Sequence, residues 1–298
     1  MLDRPVDIYL DTNLWNALSD HAVDPQTLMA SLAARNVNLV LGLHIFYELA
    51  KTFRTPTREA LERGRHLFSY LKEFIDAGIP CVKENDELLA AEMRSLQSRT
   101  PTIDAFYHAE DHVLLRQRVD KLANGGFDER AAKFIEDQSA FALNIRLTQI
   151  RRLESRADAK QYLKNVSPAR LDQWLQAEAS SPAGPASLKD HILRRFPEAT
   201  ETEAMEYASA LLASPPSRMA RGMVRAGSYY MWRCAYRDSV PKDLFDDIYH
   251  VLNSVHCDVY ATGEKRQAEY ARLLLTASTS VAIYAGQTPI DQWLQGLV

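Results

Sequence analysis

The sequence predicts an α/β protein with a central parallel sheet and a large all-helical insertion. Two apolar segments, 8–10 and 37–42, are each followed directly by helical spacing of apolar residues, which favours parallel strands joined by helices. The strand pattern is missing between about 84 and 236 and then returns. Because the strands on both sides of this gap need one another to form a core, the middle segment is predicted to be inserted in one domain. The predicted boundaries are 1–84 for the first half of that domain, 85–236 for the insertion and 237–298 for the second half.

In the first half, each predicted strand ends in residues that can start a helix. Asp11, Thr12 and Asn13 follow the first strand, and these residue types prefer helix N-termini. Gly78 is expected to end the last helix of this half. The expected elements are strands at 8–10 and 37–42, a helix continuing through 28–34, helices at 45–53 and 57–76, and an extended piece at 79–82.

The middle of the chain shows helical periodicity interrupted by Gly-, Ser- and Pro-rich breaks. The expected helices there are 86–97, 102–122, 129–163, 168–179, 187–196, 201–212 and 217–236. In the second half the expected elements are a helix at 242–255, a strand at 258–261, a helix at 265–275 and a strand at 280–285. The first strand should lie centrally, because its end must neighbour both the second strand and the strand at 258–261.

The composition indicates a globular intracellular protein. The chain has 298 residues, of which 46% are apolar, so it can bury a sizeable core. A net charge of -4 argues against a wholly basic nucleic-acid binder, but it is compatible with a nuclease whose basic residues are local. Cys81, Cys234 and Cys257 are odd in number and widely spaced, which predicts buried thiols in a reducing cytoplasm. No apolar run approaches the roughly 18 residues needed to cross a bilayer, so no membrane association is expected.

Four acids are placed to meet at one edge of the predicted sheet. Asp11 follows the first strand, Glu48 lies in the helix after the second, Asp247 lies in a later helix, and Glu264 follows the late strand. Taken singly, Asp11 is favoured as a helix cap, Glu48 as a solvated helix acid and Glu264 as a charge at a helix N-terminus. Four converging carboxylates would repel one another, so convergence implies a cation or a protonated carboxyl. Mg²⁺ and Mn²⁺ favour such oxygen ligands.

These residues resemble the PIN-domain family of metal-dependent ribonucleases. The resemblance lies in Leu10 to Asn13, in Glu48, in Asp247 to His250 and in Cys257 to Glu264, and it covers roughly 6–84 and 238–290. It implies a PIN-like three-layer fold in which Asp11, Glu48, Asp247 and Glu264 bind Mg²⁺ or Mn²⁺ and catalyse. It also implies that Thr12, Asn13 and Thr262 are supporting polar groups. PIN sequences usually have Asp where this chain has Glu264. The side chain of Glu is longer, so this departure is expected to shift or remove a second cation site.

Two further residues on the helix at 242–255 are candidates for supporting roles. Asp243 lies four residues before Asp247 and shares its helix face, so it is expected to support that ligand. His250 lies one turn beyond Asp247. A partly buried, orienting histidine is favoured there over a direct phosphate contact.

An arginine stripe in the middle segment is a candidate RNA contact. Arg218, Arg221 and Arg225 lie at i, i+3 and i+7, and aromatic residues follow them along the chain. Arginines neutralise phosphates and aromatic rings stack on unpaired bases, as in proteins that hold single-stranded RNA. The alternative is a solvated helical face with aromatic residues packed beneath it.

The sequence therefore predicts a divalent-metal-dependent endoribonuclease that hydrolyses RNA, expected to be single-stranded. One alternative is a catalytically impaired PIN-like scaffold that binds RNA or protein, which the Glu264 departure favours. Another is a metal-dependent DNA nuclease or phosphatase with similar acids. An inhibitor protein or a second copy of the chain is a possible further partner.

Overall fold

Five parallel strands form the sheet at the centre of the protein. The structure is a computed structural model that describes residues 4–55, 57–100, 102–125, 129–154, 157–236 and 244–297. The strands are β1 (Val6–Leu10), β2 (Val37–Gly42), β3 (Cys81–Val82), β4 (Val259–Thr262) and β5 (Ser280–Ile283). Their order across the sheet is β3-β2-β1-β4-β5. Ile8 of β1 pairs with Leu39 on one side and Val259 on the other, which confirms the predicted parallel sheet and the central first strand.

Helices fill the connections between the strands and the long segment between β3 and β4. The helices before β3 are α1 (Thr12–Asp20), α2 (Pro25–Ala33), α3 (Leu43–Ala50) and α4 (Arg58–Asp76). Those between β3 and β4 are α5 (Asn85–Ser98), α6 (Ala109–Ala123), α7 (Glu129–Glu154), α8 (Ala157–Lys164), α9 (Leu171–Ser180), α10 (Ala183–Arg195), α11 (Glu201–Ala213), α12 (Arg218–Tyr236) and α13 (Leu244–Asn253). The last two are α14 (Lys265–Leu274) and α15 (Ile290–Gln295).

The start of the chain after β1 is two capped helices, whereas one continuing helix was expected. Asp11 caps α1 by accepting a hydrogen bond from the Leu14 N–H at 3.1 Å. Asp24 caps α2 in the same way, accepting from the Thr27 N–H at 2.8 Å. Pro25 occupies the first turn of α2, where the missing N–H costs no helical hydrogen bond. The Asp-Pro pair is therefore a helix start that the apolar periodicity does not reveal.

One expected helix of the middle segment is wrong at its start. The helix expected at 102–122 begins only at Ala109, because Phe106 forms an antiparallel bridge with Val82 of β3. The N–H of Tyr107 donates to the Cys81 carbonyl at 2.8 Å, so this backbone is used by the sheet edge. The helix expected at 129–163 corresponds to α7 and α8, which are described on either side of residues 155–156, and those two residues lie outside the described ranges.

One continuous core joins the sheet to the helices of the middle segment. Ile8, Tyr9 and Leu10 are fully buried in it, and Leu175 of α9 and Met219 of α12 belong to the same cluster. The helices of the middle segment are thus packed on the sheet domain. The division of the chain into a domain and an insertion stays a prediction.

Two expectations from composition can be compared with the structure. Cys81 and Cys257 are buried as predicted, while Cys234 is half-buried, and none of the three is in a disulfide. Within the described ranges, no helix combines the length and the apolar character needed to cross a membrane.

Candidate functional site

The carboxyl edge of the three central strands carries the predicted acids. Asp11 follows β1, Glu48 lies on α3 directly after β2, and Glu264 follows β4. These strands are neighbours in the order β2-β1-β4, so their ends meet at one edge. Ligands of open parallel sheets bind at this edge. Asp247 approaches it from α13, the helix that precedes β4.

Asp11 is the most buried acid of this edge, with 2% of its surface exposed. Its Oδ1 accepts from Leu14, and its Oδ2 accepts from the Thr262 hydroxyl at the end of β4. Burial raises the pKa of Asp11 to about 7; the bonds from Thr262 and Leu14 oppose this rise, and the charges of Glu264 and Glu48 add to it. Glu264 and Glu48, two of the other predicted acids, are thus close enough to affect the ionisation of Asp11.

Glu48 lies between Asp11 and two buried histidines. Its Oε2 accepts from the Thr12 hydroxyl, so the residue after Asp11 ties β1 to α3. His44 Nε2 lies 3.9 Å from Oε1, and His250 Nδ1 lies 4.0 Å from Oε2. Burial opposes the ionisation of Glu48, but the two histidines, the Thr12 hydroxyl and the nearby Lys51 hold its pKa below the ordinary value.

Burial favours the neutral form of both histidines, whereas Glu48 favours their charged form. Burial lowers the pKa of His44 to about 3 and also lowers the pKa of His250, although Glu48 acts in the opposite direction on both. His250 was expected to be partly buried, but only 1% of it is exposed. Neither of its ring nitrogens has a hydrogen-bond partner among the described residues. This burial favours the orienting role over a direct phosphate contact, and the role of His250 stays a prediction.

Asp247 is held in place by two side chains from the start of α14. Its Oδ1 accepts from Gln267 Nε2 at 2.7 Å, and its Oδ2 accepts from Arg266 Nη2 at 3.1 Å. Only 6% of Asp247 is exposed, whereas the Arg266 side chain is about half exposed at 46%. Arg266 therefore places a cation at the rim of the acidic edge.

Tyr260 of β4 lies within electrostatic range of three of the acids. Burial raises the pKa of its phenol well above the usual value, and charges on Asp11, Glu48 and Asp247 raise it further. Its hydroxyl donates to Gln267 Oε1 at 3.3 Å, which connects it to the residue that holds Asp247. The phenol is fully buried, so it forms part of the floor beneath the carboxylates.

The remaining predicted residues differ in what the structure places around them. Asn13 donates to Asp11 Oδ2 at 3.2 Å, as expected for a supporting group. Glu264 is exposed at the rim, and its backbone N–H donates to the Thr262 hydroxyl at 3.0 Å. Asp243 lies outside the described residues.

Four contributors to this edge were missed in the sequence: His44, Tyr260, Arg266 and Gln267. His44 lies four residues before Glu48 on α3, a spacing that places both on one helix face. Arg266 and Gln267 lie two and three residues after Glu264, in the first turn of the helix expected there. These positions carry a signal in the sequence, whereas nothing in it singles out Tyr260 among the apolar residues of β4.

The arginines predicted to contact RNA are bound by the protein itself. Arg221 donates to the Ser214 carbonyl at 2.6 Å and to the next carbonyl along the chain. Arg225 donates to the Leu273 carbonyl at 2.8 Å and pairs with Asp172 at 2.5 Å. Arg218 reaches a carbonyl of the α13–β4 connection at 3.5 Å. All three are half-buried, and their contact with RNA stays a prediction. Arg218 and Arg225 tie the middle segment to the second half of the sheet domain, whereas Arg221 binds within the middle segment.

The oxygen ligands at this edge suit a hard divalent cation, although they do not enclose one completely. In the parts of the chain that the structure describes, no three His, Cys, Asp or Glu side chains are grouped to hold a metal ion. Mg²⁺ needs less, because it commonly binds through one or two carboxylates and keeps several waters. The Thr12 hydroxyl, next to Asp11 in the chain, donates to Glu48, and burial, with smaller contributions from the charges of Glu264 and Glu48, raises the pKa of Asp11. These residues fit an open Mg²⁺ or Mn²⁺ site.

Comparisons of the chain with family models, with curated proteins and with solved structures found no match. Interpretation of the edge therefore depends on its geometry and chemistry.

Proposed function

We propose that the protein is a divalent-metal-dependent endoribonuclease of PIN-like fold, with Asp11, Glu48, Asp247 and Glu264 as its acids. The observation that carries the proposal is the position of Asp11, Glu48 and Glu264 after three neighbouring parallel strands; burial, with smaller contributions from Glu264 and Glu48, also raises the pKa of Asp11. A cation at this edge would favour the ionised carboxylates and offset that cost. The resemblance to PIN ribonucleases supports RNA as the substrate.

Asp11 and Glu48 are the residues that would hold the ion, with Asp247 and Glu264 at the same edge. When bound, such an ion supplies Lewis-acid assistance to phosphodiester hydrolysis. The residues of the chain supply orientation: Thr262 and Asn13 fix the Asp11 carboxylate, and Thr12 fixes Glu48.

Positive charge is needed beside these acids, because RNA is a polyanion. Arg266 is half exposed and lies 3.1 Å from Asp247, so its guanidinium is placed to donate to a phosphate entering the edge. Lys51 pairs with Asp246 at 2.6 Å on the other side of Glu48 and is less exposed. Arg266 is therefore the cation best placed to contact substrate.

The test is cleavage of labelled single-stranded RNA by metal-depleted protein to which Mg²⁺ or Mn²⁺ is returned. Metal-dependent cleavage is expected for the parent and a loss of at least about a hundredfold for Asp11→Asn, because the substitution removes a ligand charge but keeps the helix cap. Asp24→Asn is the matched control, since Asp24 caps α2 with the same bond on the exposed surface. Equal cleavage by the parent and Asp11→Asn would refute the assignment.

A second candidate function is a PIN-like scaffold that binds RNA or protein without cleaving. The ion pair between Arg266 and Asp247 favours it, because a guanidinium already neutralises one of the four acids. Binding of RNA with no cleavage under any divalent cation would support this alternative. Cleavage of DNA or of a phosphate monoester in place of RNA would instead support a DNA nuclease or a phosphatase.

A further inference from the structure

A cleft of about 480 Å³ lies among α5, α10, α12 and α13, on the other side of α13 from the acidic edge. Phe245, Ile248, Tyr249 and Leu252 line it, and their spacing places them on one face of α13. Asp247 lies on the opposite face of the same helix. The volume is within the range of roughly 300–1,000 Å³ that small-molecule sites occupy.

The walls of this cleft differ in charge. Arg194 and Arg195, in the last turn of α10, are exposed and line one part of it. Arg194 also donates to His191 Nδ1 at 2.6 Å, which orients its guanidinium. Glu84 and Asp86, at the start of α5, line another part. Between them the floor is apolar and aromatic, so the cleft suits a ligand with an anionic group, a flat apolar body and hydrogen-bond donors.

Gly227 provides an independent indication that this space is kept open. It lies within α12, where glycine weakens a helix relative to alanine. A Cβ at Gly227 would meet no atom within 4 Å, so packing within the protein does not require glycine there. Gly222 on the same helix is different, because a Cβ there would lie 3.0 Å from Leu252 and 3.3 Å from Val255. Gly227 lines the cleft, and its missing side chain enlarges it.

We propose that this cleft binds one nucleotide, with its phosphate at Arg194 and Arg195 and its base against the rings of Phe245 and Tyr249. Arginine pairs bidentately with phosphate, and bases stack on aromatic side chains. The acids at the start of α5 accept hydrogen bonds from the N–H groups of the base. This site goes beyond the proposed nuclease function and does not depend on it, because its residues are separate from the acidic edge.

The test is calorimetric titration of the full chain with adenosine monophosphate, in EDTA and at low salt, with adenosine and inorganic phosphate titrated separately. Adenosine monophosphate should bind more tightly than either part. Arg195→Ala should weaken binding by about tenfold or more, since a charge-assisted bond is lost. Gly227→Phe should abolish binding by filling the cleft. Arg58→Ala on the surface of α4 is the matched control and should bind nearly as the parent does, whereas Gly227→Ala should weaken binding, though less than Gly227→Phe.

Two sources of the nucleotide are distinguished by a 5′-phosphorylated RNA tetramer. Displacement of adenosine monophosphate by the tetramer assigns the cleft to the end of an RNA strand, and lack of displacement assigns it to a free nucleotide. The inference is overturned if adenosine monophosphate binds no better than adenosine or phosphate. It is also overturned if Arg195→Ala, with an unchanged thermal midpoint, binds as the parent does. Nucleotide binding by Asp11→Asn separates this site from the proposed catalytic one.

Discussion

Replacement of Asp11 by Asn should stabilise the metal-free protein at pH 8, although it removes a charged hydrogen-bond acceptor. The pKa of Asp11 rises from 3.8 to about 7 on folding, mainly because of burial. The folded state therefore holds the proton more tightly than the unfolded state does. The contribution of Asp11 to the free energy of unfolding is fully present below about pH 4 and is lost as the pH rises through 7. A pKa shift of this size corresponds to a loss on the order of 4 kcal/mol. Asn cannot ionise, so the variant escapes this cost.

The measurement is urea unfolding of both proteins in EDTA at pH 5 and pH 8. The stability gained by Asp11→Asn should be about 2–3 kcal/mol larger at pH 8 than at pH 5. His44 and His250 titrate in both proteins, so their effects cancel in the difference. Asp24→Asn should show no gain at pH 8, because hydrogen bonds from Thr27 lower the pKa of Asp24. A stability difference that does not change with pH would refute the reasoning.

The same pair of proteins tests metal binding without an activity assay. Mn²⁺ at about a hundred times its dissociation constant should stabilise the parent by roughly 2.7 kcal/mol at pH 8. Asp11→Asn should lose most of this stabilisation, since it lacks the ligand charge. Equal stabilisation of parent and variant would show that any cation binds elsewhere.

Three further substitutions have defined outcomes. Glu92 is fully buried and accepts hydrogen bonds from the first N–H groups of α12. Glu92→Ala should therefore lower the free energy of unfolding by about 3–5 kcal/mol, and Glu92→Gln should lower it by less. A loss below about 1 kcal/mol for Glu92→Ala would contradict this. Arg225→Ala should cost about 1–3 kcal/mol in urea unfolding, because it breaks bonds to Leu273 and Asp172; lower RNA affinity at unchanged stability would instead support the predicted phosphate contact. Arg266→Gln should tighten Mn²⁺ binding in calorimetry severalfold, since it removes a cation from Asp247, while the Lys265→Gln control should not; weaker binding would contradict a ligand role for Asp247.

The parts of the fold that local patterns specify were predictable. The bounds of β2, 37–42, are those that its apolar run predicts. The central position of β1 followed from the need to bring its end beside two other strand ends, and the strand order agrees. Both inferences use residues close in sequence or the general geometry of parallel sheets, so they do not require knowledge of particular long-range contacts.

The features that the sequence did not reveal depend on which groups the folded chain brings together. Residues 102–108 have helical periodicity, but Phe106 forms an antiparallel bridge with Val82 at the edge of the sheet. Arg221 and Arg225 have the spacing of an exposed stripe, yet carbonyls and Asp172 occupy their guanidinium groups. The pattern of residues along one helix does not show which oxygen atoms elsewhere in the fold will accept hydrogen bonds from its arginines. Those acceptors decide whether the arginines are available to bind phosphate.

Asp11 shows why residue type alone could not decide between a helix cap and a metal ligand. Asp11 and Asp24 cap successive helices through the same bond to the third residue on, so the sequence presents them as equivalent. Their pKa values move in opposite directions: the exposed Asp24 is lowered by its hydrogen bonds, whereas burial beside Glu264 and Glu48 raises Asp11. Capping does not require burial next to two acids, as Asp24 demonstrates. The additional electrostatic cost at Asp11 is therefore the feature that capping leaves unexplained, and a cation at the sheet edge would remove it.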